Sequence, residues 1–255
     1  MPRFHVRPDA IQGLRVRLDP EESHHIRRVR RLGPGDVVEL FDGAGHHYQV
    51  RLEAVTPEGM EGAVLASSQS VTESPLSCTL VQALPKGEKF EWVIQKATEL
   101  GVTRILPLLT ARTVVHLSPP RANHKLRRWQ RVAKEAAKQA GRGVIPRIEP
   151  SMSLAEFLRA RPPVDLALCL WEGAEESVEA VFDRTSDSVN DALLLVGPEG
   201  GWAREEVVDI QAHGITPAAL GPRILRTESA ALVGLTLLQF RFGDLGAGRG
   251  SHARV

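Results

Sequence analysis

The sequence is poor in the residues that disulfide frameworks, metal centres and membrane spans require. Of its 255 residues only 2 are cysteines, Cys78 and Cys169, and each lies inside an apolar run. Neither belongs to a metal-ligand spacing, so we interpret both as core residues and expect no metal. No apolar run approaches the ~20 residues of a membrane helix. The first residues, MPRFHVRPD, lack the apolar segment of a secretory signal, and we expect a cytoplasmic protein with no membrane partner.

The sequence also lacks a large net charge, since its formal value is +1. The charges are nevertheless unevenly distributed. Residues 3–31 contain eight arginines and four acids, and residues 121–142 contain eight lysines and arginines and one acid. Two basic clusters in a neutral chain are typical of a surface that binds a polyanion. The alternative is two solvated faces that are balanced elsewhere in the fold.

Up to about residue 70 the sequence predicts short strands. GLRVRL and HYQVRLEAV alternate apolar and polar residues, and the glycines of residues 42–45 predict a hairpin. Between the strands, DPEESHHIRRVRRL predicts a helix with Asp19 as its N-cap. The pattern indicates a small β-barrel-like domain at 1–70. The polar segment 66–75 predicts a linker, whose core we place at 71–75.

From Leu76 onward apolar strands alternate with helices. Strands are predicted at LSCTLVQAL, RILPLL, VDLALCLW, ALLLVG and near PAAL. Helices are predicted at EKFEWVIQKATELG with Gly101 as C-terminal cap, at KLRRWQRVAKEAAKQAG, in the acidic segment after VDLALCLW, at REEVVDIQAHG and at SAALVGLTLLQFRF. This alternation is typical of a parallel α/β sheet covered on both faces. We place this domain at 76–243 and expect a mobile tail at 244–255.

Two unusual loops follow predicted strands near the carboxyl end of the chain. LLLVGPEGGW leads into the glycine loop 197–201, and LGPRILRTESAAL precedes the last helix. Ligands of open α/β sheets bind at the carboxyl ends of strands, where glycine lets backbone groups approach them. The sequence has no GxxxxGK[ST] motif and no GxGxxG after its first strand, and Glu199 would repel phosphates. The loops therefore predict a ligand without phosphate, although GPEGG alone could be a tight turn.

The residues before the last helix have both structural and chemical interpretations. Thr227 or Ser229 can cap the helix, and Glu228 lies where the helix dipole favours an acid. Arg226 is harder to explain by packing, because arginine is seldom buried unless it is paired.

Together these segments resemble the RsmE family, methyltransferases that modify N3 of a uridine in small-subunit ribosomal RNA. Five segments carry the similarity in order: HHIRRVRRLGPGDVVELFDGAG, LPKGEKFEWVIQKATELGV, EAAKQAGR, LLLVGPEGGW and LGPRILRTESAAL. Ser229 stands where the family usually has threonine. The resemblance implies a PUA-like β-barrel followed by an α/β domain of the SPOUT superfamily, whose parallel sheet contains a trefoil knot. Periodicity alone predicts an unknotted doubly wound sheet.

The resemblance also implies S-adenosylmethionine as methyl donor and 16S ribosomal RNA of the small subunit as substrate. The donor carries no phosphate, in agreement with the missing phosphate loop. The residues expected to bind it are Leu170, Trp171, Glu172, Leu195, Val196, Gly197, Pro198, Glu199, Gly200, Gly201, Leu220, Gly221, Arg223, Ile224, Leu225 and Arg226. Among them, Leu195, Ile224 and Leu225 are expected to lie against the adenine.

The implied reaction assigns roles to three charged residues. A uracil N3–H must lose its proton before the nitrogen can accept a methyl group. Arg226 is the predicted catalytic cation, because its donors match the negative charge on the uracil carbonyl oxygens. Glu228 or Glu199 is predicted to act as the base or to orient Arg226.

The basic clusters are expected to contact RNA phosphates, which position a substrate without reading its sequence. The predicted contacts are Arg3, Arg27, Arg28, Arg30, Arg31, Lys86, Arg127, Arg131, Lys134, Lys138 and Arg142. Trp129 has the helical spacing of a core residue, with base stacking as the alternative. The apolar last helix favours a homodimer, as the superfamily implies, although packing within its own domain is an alternative.

Three other functions stay open at this point. A different SPOUT enzyme would methylate a ribose hydroxyl or another base, but the amino-terminal domain and RILRTESA argue against it. A non-catalytic RNA-binding protein would not need both glycine loops and Arg226. An unknotted Rossmann methyltransferase should carry its glycine loop after the first strand, where LVQALPKGEKF has one glycine.

Overall fold

The chain divides into two compact units in a computed structural model that describes residues 1–115 and 118–246. The first unit comprises residues 1–73 and 137–145, and the second comprises 74–136 with the chain from Pro146 onward. The boundaries predicted at 70 and 76 stay a prediction, and the sequence pattern does not separate 137–145 from the basic helix. Most of the predicted mobile tail, from residue 247 onward, lies outside the described residues.

Six strands build the first unit: β1 (Arg3–His5), β2 (Ile11–Gln12), β3 (Arg15–Leu18), β4 (Val37–Phe41), β5 (His46–Thr56) and β6 (Gly59–Gln69). They form one sheet in the order β1-β4-β5-β6-β3-β2, antiparallel except for β1 beside β4. Alternate residues of the longer strands, including Leu18, Val38 and Val50, meet in one apolar core. The predicted strands and the hairpin between β4 and β5 are confirmed.

Two segments of this unit differ from the sequence prediction. The segment predicted as one helix, DPEESHHIRRVRRL, forms a shorter α-helix, α1 (Pro20–His24), whose N-terminus is capped by the Asp19 side chain. A π-helical turn at His25–Val29 follows it directly. The predicted linker begins too early, since residues 66–69 belong to β6 and pair with β5. Strand pairing uses backbone groups, so polar side chains did not reveal it.

Buried ion pairs hold segment 137–145 within the first unit. Arg142 is 3% exposed, and its Nη2 donates to Glu73 Oε2 at 2.7 Å. Arg3 pairs with Glu39 at 3.1 Å and donates to Arg142 O at 2.5 Å. Burial lowers the pKa of Arg3, and Glu39 only partly offsets this. Lys138 lies 3.4 Å from the buried Glu22 carboxylate.

The burial of these cations corrects the predicted set of RNA contacts. Arg3, Lys138 and Arg142 serve packing within the first unit, so we remove them from that set. Their clustering with exposed arginines in the sequence hid this difference, because charge counting does not distinguish a paired buried cation from a solvated one.

The second unit alternates strands and helices as predicted. Its strands are β7 (Ser77–Ala83), β8 (Arg104–Leu109), β9 (Arg147–Ile148), β10 (Met152–Ser153), β11 (Leu166–Leu170), β12 (Asp191–Val196) and β13 (Thr216–Ala218). Its helices are α2 (Lys89–Glu99), α3 (Pro119–Ala140), whose last residues belong to the first unit, α4 (Leu154–Ala160), α5 (Val178–Asp183), α6 (Arg204–Ala212) and α7 (Thr227–Arg241). The sheet order is β10-β8-β7-β12-β11-β13, with β9 beside β8.

Every strand pair in this second sheet is parallel, which confirms the predicted α/β class. Gly101 ends α2 with φ +84°, as its predicted capping role requires. Trp129 is buried, with its ring 4.6 Å from that of Phe90, so its interpretation as core is confirmed. The trefoil knot stays a prediction.

The sequence prediction missed α4, although the helix has a clear start signal. Ser153 and Glu156 form a capping box, in which each side chain bonds to the backbone N–H of the other residue.

In the described chain, none of the helices combines the length and apolar composition that a membrane span needs.

Candidate active site

A cavity of about 410 Å³ lies in the second unit, where the glycine loop after β12 faces the segment that leads into α7. It is lined by Lys89, Leu170, Glu172, Val196, Gly197, Pro198, Glu199, Gly201, Trp202, Ile224, Leu225, Arg226, Thr227 and Ala230. Its volume is in the range of small-molecule sites, and it occupies the carboxyl ends of parallel strands, where such sites form. The two unusual loops of the sequence therefore do meet.

Most of the predicted ligand contacts line this cavity, but six do not: Trp171, Leu195, Gly200, Leu220, Gly221 and Arg223. Leu195 is fully buried in the core cluster of the sheet. Successive side chains of a strand point to opposite faces of the sheet, so Val196 lines the cavity while Leu195 packs in the core. We therefore correct the residues expected to lie against the adenine: Ile224 and Leu225 line the cavity, as does Val196, but Leu195 does not.

A chain of hydrogen bonds fixes the glycine loop to α7. Gln82, which is fully buried, donates from Nε2 to Thr227 Oγ1 at 2.8 Å and to Ala83 O at 3.0 Å. Because Thr227 Oγ1 accepts from Gln82, its own hydroxyl donates to Gly197 O, at 2.5 Å. The predicted cap is therefore wrong in detail: the N-cap residue is Arg226, and the Thr227 side chain serves the loop instead.

Two glycines of the loop allow close approaches that a side chain would block. A Cβ on Gly197 would lie 2.9 Å from Nε1 of Trp202, whose ring donates to Leu170 O at 3.1 Å. Gly201 has φ +69°, and its Cβ would lie 3.0 Å from Glu172 Oε1. The loop is therefore a packed element whose shape needs glycine at both places.

A small charge cluster borders the cavity, and the sequence prediction identified only part of it: Lys89 and Glu199 line the cavity, and Glu228 lies beside Lys89. The ammonium of Lys89 lies 3.5 Å from Glu199 Oε1 and 3.4 Å from Glu228 Oε1. Glu199 Oε1 also accepts the backbone N–H of Lys86 at 3.1 Å. The sequence analysis did not predict Lys89 as a site residue. Its position in the segment LPKGEKF, three residues after the predicted RNA contact Lys86, was the only sequence feature that pointed to it. Arg226 is exposed and forms no ion pair with the residues that the structure describes.

Cys169 lies on β11, directly before the cavity residue Leu170, and does not itself line the cavity. Burial raises the pKa of Cys169 well above its ordinary value, and the nearby carboxylates of Glu172 and Glu206 raise it further. The protonated thiol is a poor nucleophile. Within the two described ranges, no group of three or more His, Cys, Asp or Glu side chains is arranged to hold a metal ion.

Two family models match the chain. A model described as an RNA methyltransferase domain matches residues 72–239. A model described as an RNA methyltransferase PUA domain matches residues 18–65. The predicted order, a PUA-like domain before an α/β methyltransferase domain, is confirmed.

Individual relatives cover nearly the whole chain. Ribosomal RNA small subunit methyltransferase E of Bacillus subtilis is 33% identical over 225 residues, which make up 87% of this chain and 88% of the relative. The protein of that name from Synechocystis is 35% identical over 234 residues, 91% and 75% of the two chains. The crystal structure of ribosomal RNA small subunit methyltransferase E from Neisseria gonorrhoeae, bound to S-adenosyl methionine, superposes with a TM-score of 0.86 at 31% identity and covers 96% of this chain and 99% of that chain.

The hydroxyl of Thr227 is the testable element of this site. Thr227→Val keeps the shape of the side chain but removes the donor to Gly197 O and the acceptor for Gln82. We expect the free energy of unfolding to fall by about 1–3 kcal/mol, because buried polar groups lose their partners. Thr227→Ser, which keeps the hydroxyl, is the control. Equal stability of Thr227→Val and wild type in denaturant titrations would contradict the assigned hydrogen bonds.

Proposed function

The chain belongs to the ribosomal RNA small subunit methyltransferase E family, and on this premise we propose that it methylates N3 of one uridine in 16S ribosomal RNA with S-adenosylmethionine as donor. The observation that supports this most is the cavity that joins the glycine loop to Arg226, with Glu228 next to it through its ion pair with the cavity residue Lys89. It combines a place for a small donor with charged groups suited to proton removal from an imide.

The residues of the cavity fit S-adenosylmethionine. Apolar contacts are available from Leu170, Val196, Ile224 and Leu225, and Ile224 is 85% exposed. The loop carries Glu199 instead of the lysine of a phosphate loop, so a donor with a positive sulfur and no phosphate suits its charge. When bound, the donor supplies a methyl group activated by that sulfur.

The chain's own residues would prepare the acceptor. Arg226, exposed at the cavity and without an ion pair in the described ranges, is proposed to stabilise the negative charge that develops on the uracil carbonyl oxygens. Glu228 and Glu199 are the proposed groups for accepting the N3 proton or orienting Arg226. Burial of the acceptor beside Leu225 and Pro198 would exclude water and strengthen these interactions.

Exposed arginines support an RNA substrate. Arg27, Arg28, Arg30 and Arg31 are exposed around the π-helical turn, and Arg31 has a left-handed φ of +56°. On α3, Arg127 and Arg131 are exposed and four residues apart, so they share a helix face. None of these six forms an ion pair with another described residue. We propose all six as phosphate contacts, together with Lys86 and Lys134.

A surface stripe on α7 supports a homodimer. The buried face of this helix includes Leu235 and Leu238, but Val233 is 39% and Phe240 66% exposed, seven residues apart on another face. We propose that the stripe packs against a second copy of the chain.

We also propose a trefoil knot in the second unit, on the basis of the family resemblance, and a cytoplasmic location, on the basis of the RNA substrate.

Product mapping tests the function and the role of Arg226 together. With 16S ribosomal RNA or small subunits and methyl-labelled donor, wild type should place one methyl on N3 of a single uridine. Arg226→Gln should lower kcat roughly 10²–10³-fold while the donor still binds, because the missing cation acts on developing charge. Arg204→Gln, an exposed arginine outside the cavity, is the control. A methyl on ribose or another base would favour a different enzyme class, and near-normal turnover of Arg226→Gln would exclude its role.

Salt dependence tests the proposed phosphate-binding arginines. For RNA binding, the slope of log affinity against log salt should weaken by roughly 0.7–0.9 for each phosphate that is no longer neutralised by a side chain. Arg127→Ala with Arg131→Ala should show this change, whereas Arg128→Ala serves as control because Arg128 already pairs with Glu91 at 2.8 Å. An unchanged slope in the double variant would remove α3 from the RNA surface.

The dimer is tested by one charge substitution. Phe240→Glu would bring a carboxylate into the proposed interface, so we expect monomers in light scattering where wild type gives dimers. Val208→Glu, at an exposed apolar position on α6, is the control. A monomeric wild type, or a dimeric Phe240→Glu variant, would contradict the proposed interface.

A further inference from the structure

Lys89 lies between two carboxylates that come from different parts of the chain. It is the first residue of α2, and it contacts Glu199 in the glycine loop and Glu228 in the first turn of α7, at 3.5 and 3.4 Å. One ammonium therefore joins three elements that surround the cavity. A single cation shared by two acids reduces the repulsion between them.

The two carboxylates differ in their remaining partners. Glu199 keeps a second anchor, the backbone N–H of Lys86, and its side chain is 33% exposed, so water can solvate its other oxygen. The Glu228 side chain is 15% exposed, and its Oε2 is buried with no hydrogen-bond partner in the described parts of the chain. A buried acceptor without a partner is unfavourable, and each such atom calls for a structural or functional explanation.

We propose that Lys89 is a positioning residue, which holds Oε1 of Glu228 so that Oε2 is free to accept the imide proton of the bound uracil. This inference rests on the proposed function and selects between the two acids: Glu228 accepts the proton, and Glu199 holds the glycine loop. In this step the N3–H bond breaks, its electron pair stays on N3, and the proton goes to Oε2. Deprotonated N3 is then the nucleophile, and Oε2 later returns the proton to solvent.

If Lys89 acts through Glu228, the effect of removing Lys89 on the methylation rate should depend on whether Glu228 is present. Removing Lys89 leaves Glu199 with its backbone anchor but takes the Lys89 ion pair away from Glu228. Lys89→Met should therefore lower kcat with little change in KM for the donor. Lys89→Arg, which keeps the charge, should recover most of the rate.

The experiment is a double-mutant cycle on single-turnover methylation. Glu228→Gln should lower the rate roughly 10²–10⁴-fold, as expected for loss of a general base. In that background Lys89→Met should cost little more, because the group it positions is already gone. Lys96→Met is the matched control: Lys96 lies on the same helix and pairs with Glu99 at 2.8 Å away from the cavity. Thermal unfolding of each variant separates loss of fold from loss of rate.

Several outcomes would overturn the inference. Additive losses in the double variant would mean that Lys89 does not act through Glu228. A Lys89→Met rate equal to that of Lys96→Met, or a larger loss for Glu199→Gln than for Glu228→Gln, would also contradict it. If wild type places no methyl on any uridine N3, the proposed function fails and the inference fails with it. An active wild type together with a Lys89→Met variant of undiminished rate refutes the inference alone.

Discussion

The site depends on the hydrogen bond that the Thr227 hydroxyl donates to Gly197 O. Gln82 directs this bond by occupying the acceptor side of the same hydroxyl, so three distant parts of the chain are tied together at one buried oxygen. The bond fixes the carbonyl of Gly197 against the start of α7, and Trp202 packs against the same glycine. With the loop held on both sides, its exposed backbone groups keep a defined shape before any ligand binds. Such preorganisation lowers the entropic cost of binding.

The charges around the cavity follow from that frame. Lys89 and Glu228 stand on the first turns of two helices, and Glu199 stands on the fixed loop, so their spacing is set by backbone packing. The cavity and its border thereby offer apolar surface, two acids that share one ammonium, and Arg226, which has no ion pair among the described residues. A donor without phosphate and an acceptor that becomes negative during reaction suit these groups. The function therefore depends on these side chains, while the α/β fold determines where they are positioned.

Sequence reasoning predicted the parts of this protein that local patterns encode. Apolar runs and helical periodicity identified the strands of the parallel sheet, and the two glycine loops located the cavity. Hydrogen bonds and ion pairs between residues remote in sequence could not be predicted in this way. Thr227 was interpreted as a cap because its partners, Gln82 and Gly197, are remote in sequence, and Lys89 was missed because its carboxylate partners lie over 100 residues away. Arg142 was placed on the RNA surface for the same reason, since only the fold reveals its pair with Glu73.

The central claim is that the two loops form one binding element for the donor, and hydrogen exchange tests it most directly. Amide exchange should be followed by mass spectrometry with and without S-adenosylmethionine, because exchange reports local opening of each segment. Added donor should protect the amides of residues 197–201 and of 220–230 together and leave those of β1 to β6 unchanged. Binding of the donor without protection of either loop, or with protection confined to the first unit, would contradict it.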